Sequence, residues 1–121
     1  MDGSGLFGDR NTERNTRRFS MLHKFKPCYA VRSTSNRPGF PNDMTDEEKT
    51  IMSLHSEFWD KLLTEGSALV TGPIMDPNGT YGFAVVLADS EAAARELLKD
   101  DPAQRLSTYS YFPMLVNFYT K

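Results

Sequence analysis

"TYGFAVVLA", Thr80–Ala88, is an apolar run in which neither face carries a charge. Tyr81, Phe83, Val85 and Leu87 point one way, and Gly82, Ala84, Val86 and Ala88 the other. A half-exposed strand alternates apolar with polar residues, so this segment predicts an interior strand covered on both sides. Just upstream, "SALVTGPI" (Ser67–Ile74) reads as a strand ending in Gly72-Pro73, and "MDPNG" as the turn joining the two into a hairpin. Downstream, "DSEAAARELLKDDP" (Asp89–Pro102) reads as a helix capped by Asp89 or Ser90 and stopped by Pro102. The last strand is expected in "YSYFPMLVNFY", Tyr109–Tyr119.

Toward the N-terminus, "KFKPCYAVRS" (Lys24–Ser33) predicts a first strand with Tyr29 and Val31 on one face and Cys28 and Ala30 on the other. Two prolines and a glycine make Thr34–Asp43 a loop. A helix then begins at Thr45, which can cap it while Glu48, three residues on, reaches back as in a capping box. Glu57 and Lys61 are spaced for an exposed pair, and Gly66 ends the helix in a left-handed cap. The order is β-α-β-β-α-β, an α+β chain of the ferredoxin-like sandwich type. In that topology the strands run 4-1-3-2, and the two internal prolines, Pro73 and Pro113, fall on the edge strands where a missing N–H is tolerated. Helices cover one face of the sheet. The apolar second face predicts a partner subunit, so a homodimer is expected.

At 121 residues the chain is expected to be one domain, with a flexible leader over 1–20 and a folded part over 21–121. The leader holds Arg10, Arg14, Arg17 and Arg18, which leaves a docking arm as a second reading. A net charge of −2 and covered sheet faces argue against nucleic acid as a partner. No apolar run is long enough for a membrane span, and the N-terminus lacks a secretion signal, so a cytoplasmic, membrane-free protein is expected. The one cysteine, Cys28, cannot form an internal disulfide and reads as a small core residue. Asn78-Gly79-Thr80 has the spacing of a glycosylation acceptor but is foremost a turn.

Candidate chemistry starts in "IMSLHSEFWDKLL", Ile51–Leu63. At 100° per residue Ile51, His55, Phe58 and Leu62 share one stripe, so His55 points where the apolar side chains point. It is either a core histidine bonded to a neighbour or the working group of a site. Asp100 and Asp101 bear on that choice, because they stand at the negative end of the second helix, against the preference for cations there. Asp-Pro is also a good turn opener. Both helices pack on one sheet face, so Asp101 could reach His55, fix its tautomer and make it a better proton acceptor. His23 has no identifiable partner, and Tyr109 and Tyr111 could line a pocket or simply pack. No metal-ligand spacing occurs, and the glycines of Gly72–Gly82 lie between strands and not before a helix. No metal or cofactor is expected.

Three stretches, "MTDEEKTIMSLHSEFWDKLLTEG" (Met44–Gly66), "GPIMDPNGTYGFAVVLADSEAAARELLKDDPA" (Gly72–Ala103) and "YFPM" (Tyr111–Met114), together resemble the YCII-related (YciI-like) domain family, from about Met21 to the C-terminus. The resemblance rests on a helix histidine, Gly-Pro after the second strand, a glycine-containing third strand and Asp-Pro after the second helix. It implies a dimeric α+β barrel of ferredoxin-like protomers and an active-site His–Asp pair at His55 and Asp101. Asp100 is not carried over. Relatives include a dehydrochlorinase acting on a chlorinated hydroxyquinol, and the wider superfamily holds lactone isomerases and monooxygenases. The expected function is cofactor-free, general acid/base elimination or isomerisation of a small cyclic or aromatic compound, with Gly72, Pro73 and Tyr111 contacting the substrate. The alternative is a non-catalytic ligand-binding or dimeric scaffold domain.

Overall fold

Pro73 and Pro113 lie on the two edge strands of a four-stranded sheet. The computed structural model describes residues 26–117. Its elements are β1 (Lys26–Ser35), α1 (Asp46–Glu65), β2 (Ala68–Ile74), β3 (Tyr81–Leu87), α2 (Glu91–Leu98) and β4 (Ser107–Val116), with a short 3-10 helix over Pro102–Arg105. The strand order is β2-β3-β1-β4, the expected order read from the other edge. The fold is therefore α+β and ferredoxin-like. The chain divides into two compact units, Cys28–Met114 and a second made of Met1–Pro27 with Leu115–Lys121. Of the second unit only the extended ends of β1 and β4 and Asn117 are described. The leader expected over 1–20, His23, and the strand ending expected at Tyr119 lie outside the described residues. Among the described residues no helix is long and apolar enough to cross a membrane.

The antiparallel register pairs Tyr29 with Val86, Val31 with Ala84, and Ala68 with Val86. These residues face the helices. Val31, Ala68, Ala84 and Val86 pack with Trp59 and Leu62 of α1 and with Ala94 and Leu98 of α2 to form the core. The alternation of β3 is what sorts them, because a one-residue slip would send the whole set to the other face. On that other face Arg32 stacks its guanidinium 4.0 Å above the Tyr81 ring. Cys28 and Val85 are buried there, while Val70 and Phe112 on the edge strands are half exposed.

Helix ends follow their local chemistry. Thr45 Oγ1 accepts the Glu48 N–H at 3.1 Å and Glu48 Oε1 accepts the Thr45 N–H at 2.9 Å, which completes the capping box. Gly66 closes α1 at φ 83°, a conformation that disfavours a side chain. Ser90, not Asp89, caps α2. Lys61 lies 4.0 Å from Glu65 and not against the expected Glu57. Exposed pairs of this kind differ by only a few tenths of a kcal/mol, so spacing alone does not choose between them. β1 and β4 extend two residues further toward each other than read from sequence, to Ser35 and Ser107, and Asn36 N–H donates to Leu106 O at 3.0 Å beside them.

Two leucines on the helices separate core from surface. Leu98 is fully buried and Leu54 is 48% exposed. Leu98→Ala should cost about 3 kcal/mol in urea denaturation, and Leu54→Ala less than about 0.5 kcal/mol.

Candidate functional site

The site is organised by a segment four residues long. α2 stops at Leu98, and the Asp101 N–H returns to Leu98 O at 3.1 Å. Pro102 then takes the first position of the 3-10 helix, where its missing N–H costs nothing. Asp101 is the N-cap of that helix, its Oδ1 accepting the Ala103 N–H at 3.0 Å. The sequence reading sets Asp101 against the dipole of the helix before it. The structure assigns it to the start of the next helix, where a carboxylate is favoured. Asp100 is exposed.

Asp101 is 3% exposed, the one buried charged residue among those described. Its carboxylate is satisfied from every side. Oδ1 also bonds His55 Nδ1 at 2.8 Å, and Oδ2 accepts the Trp59 indole N–H at 2.7 Å and the Tyr109 hydroxyl at 2.5 Å. Burial pushes the Asp101 carboxyl up, but donation from His55, Tyr109 and the Ala103 N–H outweighs it and holds the group below its ordinary value. Burial and the adjacent carboxylate push the Tyr109 phenol well up, so its proton stays on oxygen and is donated. An ionised carboxylate only accepts, so Nδ1 of His55 carries the hydrogen and Nε2 is the nitrogen left for other partners.

His55 and Trp59 stand one turn apart on α1, their rings edge to face with centroids 6.3 Å apart. His55 keeps 24% of its side chain exposed and lines a cavity of about 420 Å³. Met52, Ser56 and Trp59 of α1, Thr71, Gly72 and Pro73 of β2, and Phe40 and Pro41 of the β1–α1 loop form its walls. Gly82 lies in the same lining, and a Cβ there would meet Ser33 Oγ at 2.2 Å. Among the described residues no group of three or more His, Cys, Asp or Glu gathers to hold a metal ion.

The structure thus brings together four of the five expected site residues: His55 and Asp101 in contact, Gly72 and Pro73 in the wall beside them. Tyr111 is placed elsewhere, packed on the core with the Arg95 guanidinium 4.4 Å above its ring. It is the preceding aromatic on the same strand face, Tyr109, that reaches Asp101. Trp59 is the residue that sequence reasoning missed. Its signal was present, because a buried indole N–H needs an acceptor and Trp59 follows His55 by one turn.

A ferredoxin-like α+β unit with a buried carboxylate–imidazole pair opening on a cavity defines the class. The chain belongs to the YCII-related domain family, whose model matches residues 21–115. No curated protein matches the chain.

Replacing the acceptor tests this account. Asp101→Asn turns one acceptor atom into a donor facing donors and should cost about 2–3 kcal/mol at neutral pH. Because the folded carboxyl lies below its unfolded value, its contribution is complete above the ordinary carboxylate range and is lost as pH falls through the folded value. Urea denaturation from about pH 5 down to pH 2 should therefore show a shallower decline for the variant than for the natural chain.

Proposed function

We propose that this chain is a homodimeric, small-molecule enzyme-like protein in which His55 transfers a proton to or from a small cyclic or aromatic compound, with Asp101 orienting it. The observation that carries the reading is the 2.8 Å bond between Asp101 and Nδ1, which leaves Nε2 as the basic nitrogen of a ring lining a cavity. In an elimination Nε2 takes a proton from carbon, the C–H electron pair becomes the new double bond, and the leaving group departs with its own pair. In an isomerisation the same nitrogen returns the proton to a second atom. Asp101 would stabilise the imidazolium formed in either step, in the manner of a general base held by a buried carboxylate. Gly72 and Pro73 would bound the ligand on the β2 side.

The proposal takes residues 21–121 as the working domain and 1–20 as a leader outside it, supported by a family match that begins at residue 21. It includes a cytoplasmic setting, for which the single, buried cysteine is the support. Small molecules retained through purification can be identified by mass spectrometry and followed in D2O for exchange of their C–H protons. His55→Gln should retain the molecule and slow exchange by about a hundredfold or more. Unchanged exchange would overturn the assignment. Retention with no exchange in the natural chain would favour the non-catalytic, ligand-binding reading.

Support for the homodimer comes from the sheet face away from the helices. Val70 is 50% and Phe112 is 54% exposed there, beside the apolar row of β3. Light scattering should give twice the 13.7 kDa chain mass, and Phe112→Asp should return it to one chain with the helical content kept.

A further inference from the structure

The loop between β1 and α1 contains Pro38, Gly39 and Pro41, which deny it regular hydrogen bonding, yet Phe40 and Pro41 form part of the cavity wall. Something else must hold it in place. Arg37 Nε donates to Glu48 Oε2 at 3.1 Å and one of its Nη atoms to Glu48 Oε1. The other Nη atom donates to Asp43 Oδ1 at 2.7 Å, and the Nη that bonds Glu48 also donates to the Asp43 carbonyl at 3.3 Å. One guanidinium thus ties the start of the loop both to its end and to the first turn of α1.

Each partner is itself fixed. Glu48 is closed into the capping box with Thr45, and Arg37 with the Thr45 N–H holds its carboxyl below the ordinary value. Ser35 Oγ brackets the Arg37 backbone, accepting its N–H at 3.1 Å and donating to its carbonyl at 3.0 Å. Between the two ties, Phe40 N–H donates to Arg37 O at 3.2 Å, and a Cβ on Gly39 would stand 2.1 Å from the Asp43 carboxylate. The Arg37 side chain is 38% exposed and that of Asp43 60%, so the Asp43 arm adds little to global stability, while the two-pronged bond to the 15% exposed Glu48 is the firmer anchor. What the network determines is where Phe40 and Pro41 stand.

We infer that Arg37 is a positioning residue, whose fork sets Phe40 and Pro41 as a wall of the His55 cavity and so governs which molecules reach the imidazole. This rests on reading that cavity as the ligand site. Lysine cannot replace it, since a single ammonium does not span two carboxylates in fixed geometry.

The chain's one tryptophan, Trp59, reports the wall directly, because it lines the cavity and is 4% exposed. Acrylamide, a neutral molecule of small-ligand size, is the probe. Well below the unfolding midpoint, Arg37→Met should raise the acrylamide quenching constant of Trp59 about threefold, by local opening of the loop, with the far-UV circular dichroism unchanged. A purely structural role would lower the midpoint and leave quenching in the folded state as it was, and that result overturns the inference. If Arg37→Met does not keep the native spectrum, Arg37→Lys carries the same test, a rise supporting the inference and an unchanged constant overturning it. Quenching needs no substrate, so its outcome is separate from whether His55 moves a proton.

Discussion

A carboxylate on a residue only 3% exposed is a costly thing to place in a protein, and this one is retained because four donors converge on it. Isolated in an apolar interior, the Asp101 carboxyl would take up a proton. With an imidazole, an indole, a phenol and a backbone amide aimed at its two oxygens, it stays charged. The four donors come from α1, from β4 and from the 3-10 helix, so the charge draws three elements to one point. Removing any single donor leaves the others to bear the desolvation of the group, which is why such a cluster acts as a unit.

The same convergence orders the candidate chemistry. A histidine alone on α1 could rotate, or could present either nitrogen. Bound at Nδ1 it presents one, in one orientation, to a cavity whose far walls come from β2 and from the loop after β1. Trp59 serves twice, bonding the carboxylate with its N–H and offering its ring to the cavity. The rigidity of the pair and the shape of the space are therefore properties of one set of contacts.

Much of this was legible in the sequence because it is local. Thr45 with Glu48, Gly66, the Asp76–Gly79 turn and the alternation of Tyr81–Leu87 each depend on neighbours a few residues away, and each took the form its residues specify. Strand order followed from two prolines and a topology with few alternatives. His55 and Asp101 could be paired because both helices share a sheet face. Asp101 nevertheless reads from sequence as the end of α2, because no local signal marks that α2 stops at Leu98 and that the acid opens a new helix. Tyr109 and Tyr111 are equivalent in periodicity, and only the distance along β4 to Asp101 separates a hydrogen-bond donor from a packing ring. The ties of Arg37 depend on how a proline-rich loop folds back over a helix, which has no period to read.

Proline on both outer strands has a consequence for assembly. A sheet grows sideways by pairing its outermost N–H and C=O groups with those of another chain, and each of these borders is interrupted by a residue with no N–H to give. Lateral addition, the open-ended route that leads toward ribbons and fibres, is obstructed on both sides. Contact through the face of a sheet differs from contact through its edge, because a face is used up by the first surface stacked on it.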